Sequence, residues 1–227
     1  MGVVQRERWL AVQQPAGPPC ATSTTASDCP ADSASWYDVA KYANALSAAE
    51  GRVRCYLANG TDQAAAYLTD PYSCPGPRAP GPGYRLPMEA AREYAALARA
   101  DTTYSGSNTS THVAWTCENA YSVNTYAHEV ATLAPNDWGP FDMSGNVWER
   151  TSDWYDSSDG GYADGSSDVD PAGPITGSGE GFEGSSCVGR GGGWSNYADF
   201  ATVSDRFLDS PDDSDDSLGF RLARSVP

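Results

Sequence analysis

Arg190-Gly191-Gly192-Gly193-Trp194 and Leu218-Gly219-Phe220-Arg221-Leu222 bracket a run, Ser195 to Ser217, that differs in kind from both flanks. The flanks are glycine-rich and join arginine to an aromatic. The enclosed 23 residues contain no Lys, Glu, Gln, Met or Trp. They follow neither the 3.6-residue period of an amphipathic helix nor the two-residue period of a half-buried strand. Phe200, Phe207 and Leu208 stand among Asp and Ser without such a period. That places them at the surface, although apolar side chains are more often core. Every residue type in the run can be written with a codon ending in a pyrimidine. Randomising asparagine-type codons at their adenines leaves that set.

Outward from the run, composition sets bounds. A chain of 227 residues buries a core and fits one domain. Its 23 Gly and 16 Pro imply much irregular backbone. A formal charge of −16 opposes nucleic acid, whose phosphates need clustered Lys and Arg. It opposes anionic membranes equally. There is no 18-residue apolar run for a transmembrane helix, and Met1-Gly2 leads into polar sequence with no visible signal peptide.

Cysteines 20, 29, 55, 74, 117 and 187 form an even set without CxxC spacing, and only His112 and His128 could serve as imidazole ligands. Disulfides therefore read better than zinc, and they favour an extracellular, cell-surface or virion-surface setting. Spacing suggests the pairs Cys20–Cys29 and Cys55–Cys74, with Cys117–Cys187 as a long-range staple.

Residues 1–34 read as an irregular segment of the same domain that occupies 35–227. Ser35 caps a helix through Ala49, with Trp36, Val39, Ala40, Ala43 and Leu46 on one face and Gly51 ending it. Pro87 starts a second helix, Met88 to about Ala100, whose Ala91, Tyr94, Ala95 and Ala98 should face inward. Prolines crowd residues 71–84, and Gly, Ser and Asp make residues 156–187 a surface excursion. Asn136-Asp137-Trp138-Gly139 reads as a turn, and Asn146 to Glu149 as a buried strand. An α+β domain with two helices and short antiparallel strands fits. Trp148, Trp154 and Trp194 read as core, and Glu149 as a scaffold salt-bridge partner or metal ligand. The acidic stretch Asp212–Asp216 lacks calcium-loop spacing and reads as a solvated edge.

Tyr84-Arg85-Leu86-Pro87, Asp142-Met143-Ser144-Gly145-Asn146-Val147-Trp148-Glu149 and the C-terminal flanks together resemble the formylglycine-generating-enzyme superfamily, of sulfatase-modifying-factor type. Ser35 to Asp38, Ala134 to Gly139 and Asp170 to Pro174 extend the likeness from about residue 35 to the end. The resemblance implies a C-type-lectin-like fold. The family oxidase binds copper through cysteines that fall here at Asn196 and Ala201, and an amide and a methyl group cannot replace thiolates. The related sulfoxide synthases use a His-rich iron site, which two histidines cannot build.

The resemblance narrows to the variable members encoded in diversity-generating retroelements, with a variable region at about 190–224. Positions that read as written are Ser195, Asn196, Tyr197, Asp199, Phe200, Asp205, Phe207, Leu208, Asp209, Asp213, Asp215 and Asp216. Arg206, Pro211, Gly219 and Phe220 read as scaffold. The implied function is non-enzymatic binding of a macromolecule, a protein with a basic surface, because Arg206 alone offsets seven aspartates in the run. An oxidase-like enzyme and an undiversified structural or carbohydrate-binding relative are the alternatives. The resemblance also implies a structural calcium on the Asp142 and Glu149 side chains and the Gly145 and Val147 carbonyls, a hard-oxygen set suited to that ion.

Overall fold

The computed structural model describes residues 20, 28–56, 83–121, 126–156, 173 and 186–224. Cys74, nearly all of the proline-rich stretch and most of the 156–187 excursion lie outside these residues.

Helix α1, Trp36–Ala49, begins where expected. The Ser35 hydroxyl oxygen accepts from the Asp38 amide at 3.2 Å, satisfying one of the first-turn donors that lack a helical partner. Trp36, Val39, Ala40 and Ala43 are buried, Leu46 packs partly, and Gly51 beyond the end takes φ 66°. The Trp36 indole donates to the Thr151 carbonyl at 3.0 Å and meets Tyr56 edge-on at 5.4 Å. Tyr84, Leu86, Trp154 and Leu222 complete this main apolar cluster.

Helix α2 is shorter than expected, Glu89–Leu97, and is rotated about its axis. Its buried residues are Glu89, Arg92, Ala95 and Ala96, while Tyr94 is exposed. Ala95 and Ala98 are buried as the apolar stripe implied and Ala91 partly so, but the buried charges beside them have ionic partners across the core. The Asp153 carboxylate accepts the Glu89 amide at 2.6 Å, serving the helix start that Met88 leaves without a side-chain cap. Two short helices follow, α3 at Ser110–Val113 and α4 at Cys117–Ala120.

One four-stranded sheet carries the C-terminal half: β1 Trp148–Trp154, β2 Cys187–Arg190, β3 Arg206–Asp209 and β4 Leu218–Phe220. Its order is β3-β2-β1-β4. Strand β1 pairs antiparallel with β2 and parallel with β4, and β2 pairs antiparallel with β3. All seven β1 residues are buried, so the motif beginning at Asn146 runs through the middle of the domain.

Cys20 and Cys29 form a disulfide with Cα atoms 5.4 Å apart. The other two expected pairs do not form. Cys187 is disulfide-bonded, but Cys55 and Cys117 are thiols, so neither Cys55–Cys74 nor Cys117–Cys187 exists. Proximity along the chain misassigned Cys55. Cys117 sits on α4, where its backbone amide serves the 190–197 turn.

Candidate binding surface

The run Ser195–Ser217 leaves the frame at Trp194 and returns at Leu218, and its backbone is held at nearly every step. Asn196 is the first anchor. Its side-chain oxygen accepts from the Trp148 indole at 2.8 Å and the Gly193 amide at 3.2 Å, and its backbone carbonyl accepts from the Cys117 amide at 2.8 Å. A 3-10 turn, Ala198–Ala201, follows, with the Ala198 amide donating to Glu118 at 3.0 Å. Ala198 and Ala201 point inward against Tyr104, Val113 and Ala114.

Strand β3 then locks the run to the scaffold through charge. Arg206 grips both Glu89 oxygens, at 2.6 and 2.9 Å, and donates to the Asp156 carbonyl at 2.7 Å. The buried Arg190 lies 3.2 Å from Glu89, also pairs with Glu93, and donates to the Asp205 carbonyl. Burial pulls Arg190 down to about 10 even though Glu89 opposes the shift. Charge-assisted, two-pronged contacts of this kind fix geometry strongly.

Arg150, on β1, gathers the return. It pairs with Asp209 at 2.5 Å and donates to the carbonyls of Ala34, Ser210 and Asp213. Beyond it, the Trp36 amide donates to the Pro211 carbonyl at 3.0 Å, the Ser33 amide to Asp215 at 3.0 Å and the Trp148 amide to Ser217 at 2.7 Å.

The outer side of the run contrasts with this clamped underside. Tyr197 is 68% exposed, Phe200 45% and Phe207 40%. Asp199, Asp213, Asp215 and Asp216 are exposed, and Ser195, Asn196, Asp205 and Leu208 are half-buried. Asp209 departs from the set proposed as writable. It is buried, burial raises its carboxyl to about 6 against the pull of Arg150, and its place is in the clamp. Asn196, tied down through both its carbonyl oxygens, also behaves as an anchor.

Two residues at this face gave no sign in the sequence of belonging to it. The Trp148 ring, mostly buried, stacks on Phe207 with centroids 4.9 Å apart, so a fixed indole backs an exposed phenyl. Opposite Phe207, β2 carries Gly189, where a Cβ would come within 3.3 Å of the phenyl Cδ1. Tyr121, half exposed at the end of α4, lays its ring edge on Trp194 at 5.9 Å. Adjacency to a tryptophan far along the chain leaves no periodic signal to find.

Of the quartet expected to hold calcium, the two carboxylate side chains have other groups close by. The Glu149 carboxylate is buried between Arg92, whose Nε lies 2.9 Å away, and Arg221, whose Nε lies 2.7 Å from both oxygens. Burial raises this carboxyl, but Arg221 and Arg92 outweigh it and hold it below its ordinary value. Asp142, in a left-handed backbone conformation with φ 54°, accepts the Ala131 amide at 2.8 Å. Both Glu149 oxygens are thus engaged by guanidinium groups. At positions 196 and 201 the amide and methyl group supply no thiolate for copper.

A small helix set around one curled mixed sheet, with the run strung between β2 and β4, is the C-type-lectin-like fold of the formylglycine-generating-enzyme type. The chain belongs to the family described as the sulfatase-modifying factor enzyme 1-like domain, whose model matches residues 7–226. Among solved structures it is similar to Treponema denticola variable protein 1, at 32% identity and TM-score 0.75, over 92% of this chain and 76% of that one. PvdO from Pseudomonas aeruginosa shares the fold at 24% identity and TM-score 0.60, covering 88% of this chain and 63% of its own. The formylglycine-generating enzyme of Streptomyces coelicolor is 33% identical over 159 residues, 63% of this chain. That of Thermomonospora curvata is 32% identical over 94 residues, 41% of this chain. The matches span 48% and 30% of those two enzymes.

Proposed function

We propose that this chain is a non-enzymatic binding protein whose exposed Ser195–Ser217 side chains are diversified by a retroelement through adenine-directed mutagenesis, and that its targets are proteins with basic surfaces. The observation that carries the reading is the split within the run. Its backbone is pinned by buried scaffold groups, while Tyr197, Phe200, Phe207 and the aspartates project from it. A pre-ordered backbone removes most of the ordering cost of binding. Exposed rings then act as anchors and Asp and Ser as adaptable polar contacts, as in an antibody paratope.

The likeness to a Treponema denticola variable protein over most of both chains supports this reading. The two curated relatives are formylglycine-generating enzymes, but where the family resemblance places the oxidase's copper-binding cysteines this chain has Asn196 and Ala201. Sequencing the DNA beside the gene tests the proposal. A near-copy of the codons for residues 190–224, differing only opposite adenines and next to a reverse transcriptase, is the expected result. A gene without such a copy, with residues 195–217 constant between isolates, would remove diversification from the reading.

A further inference from the structure

Beneath the β2–β4 frame lies a cradle of oxygen atoms of the kind that binds hard cations. Its members are the Glu149 carboxylate and the backbone carbonyls of Phe141, Asp142 and Met143, all within or beside the loop that enters β1. Each carbonyl accepts from a guanidinium group. Arg221 donates to Phe141 and Asp142, both at 3.1 Å, and Arg92 donates to Met143 at 3.0 Å. Both arginines also hold Glu149.

We infer that Arg92, with Arg221, supplies internally the positive charge that the family resemblance assigns to calcium, so that this loop is folded by two side chains rather than by a metal. Two observations carry the inference. The first is charge balance. Glu149 and Asp142 contribute two negative charges when ionised, and Arg92 and Arg221 contribute two positive ones. Arg92 and Glu149 are almost wholly buried and Arg221 nearly so. A calcium ion bound 2.3–2.6 Å from the Glu149 oxygens would sit within a few ångströms of both guanidinium groups, with no carboxylate left to balance it. At low effective dielectric that repulsion is prohibitive.

The second observation is the room made for Arg92. Gly191, the first glycine of the frame, has φ 98°, and a Cβ there would lie 2.4 Å from an Arg92 terminal nitrogen. The frame is therefore shaped around the arginine. Arg92 reaches this position because α2 turns its charged stripe inward, the rotation that its alanine pattern did not disclose.

The test is thermal unfolding of the whole chain in excess calcium chloride and in EGTA, on the wild type, Arg92→Met, Arg92→Lys and Glu149→Gln. The wild-type midpoint should be the same in both media. Arg92→Met should lose several degrees in both, because it leaves Glu149 short of a buried partner, and Arg92→Lys should recover part of that loss by restoring the charge. A wild-type midpoint that rises with calcium, the rise vanishing in Glu149→Gln, would overturn the inference. So would an Arg92→Met protein as stable as the wild type. A calcium response that survives Glu149→Gln puts the ion elsewhere and leaves the cradle to the arginines. If Arg92→Met cannot be produced folded, the wild-type and Glu149→Gln comparison decides alone. None of these readings involves a binding target, so their outcome does not bear on the proposed function.

Discussion

The underside and the outer face of the Ser195–Ser217 run are built from the same few residue types, yet they obey opposite rules. Underneath, the buried Asp209 and the half-buried Arg206 are paired with charges on β1 and α2, Arg150 and Glu89. Outside, Asp213, Asp215 and Asp216 face solvent beside Tyr197 and Phe200. A charge that must be matched constrains what its position can become, and a charge in water does not. The lesson is that exposure, residue by residue, and not membership of the run, decides how far a position is constrained.

The partition breaks first, and by the widest margin, if buried charge proves dispensable. Glu89→Ala removes the buried carboxylate that Arg190 and Arg206 share, and should cost about 3–5 kcal/mol in urea denaturation. Asp212→Ala on the exposed edge should stay within about 0.5 kcal/mol. Equal losses would erase the distinction between the two faces.

Asp153 sharpens the comparison through pH. Burial, then the nearby Glu89 charge, lift its carboxyl from 3.8 to about 7. Between those values the folded state keeps a proton that the unfolded chain releases, so this group's contribution to stability falls as pH rises from about 4 to about 7, then levels off. Asp153→Asn still accepts the Glu89 amide and should flatten that part of the stability profile, by up to a few kcal/mol. An unchanged profile would mean that Asp153 does not titrate as its surroundings dictate.

On the outer face, Tyr197→Ala and Phe200→Ala should each weaken binding to a target selected for this variant by about 2 kcal/mol, roughly 30-fold, with the melting temperature nearly unchanged. Phe207→Ala should lower both affinity and stability, since its ring also stacks on Trp148. Titration calorimetry and thermal scans on the same preparations separate these cases. Unfolding of the Tyr197 or Phe200 variant would place those rings in the core.

The smallest expected effect is kinetic. Association with a basic target should slow as salt rises, and joint replacement of Asp213, Asp215 and Asp216 by Asn should flatten that dependence in surface-binding kinetics.

Much of the scaffold was legible because it rests on local rules. Ser35 and the Trp36-to-Ala43 periodicity fix α1, and the motif from Asn146 announces the buried β1. Helix α2 misled because its inward stripe includes Glu89 and Arg92, whose partners lie 51 or more residues further along the chain. Asp209 was indistinguishable from its exposed neighbours, since nothing in an Asp-rich run reveals which member meets Arg150. The local Cys20–Cys29 pair formed as expected, but the pairings of Cys55 and Cys117 failed for a related reason. Chain proximity governs loop closure, but the fold decides which sulfurs meet.

Gly189 carries a consequence for the room available at this surface. Facing Phe207 across the β2–β3 ladder, it puts a hydrogen where any other residue would put a carbon against the phenyl ring. The neighbouring strand therefore leaves the Phe207 ring space that a side chain at 189 would narrow, and the ring lies flat on the Trp148 indole within it.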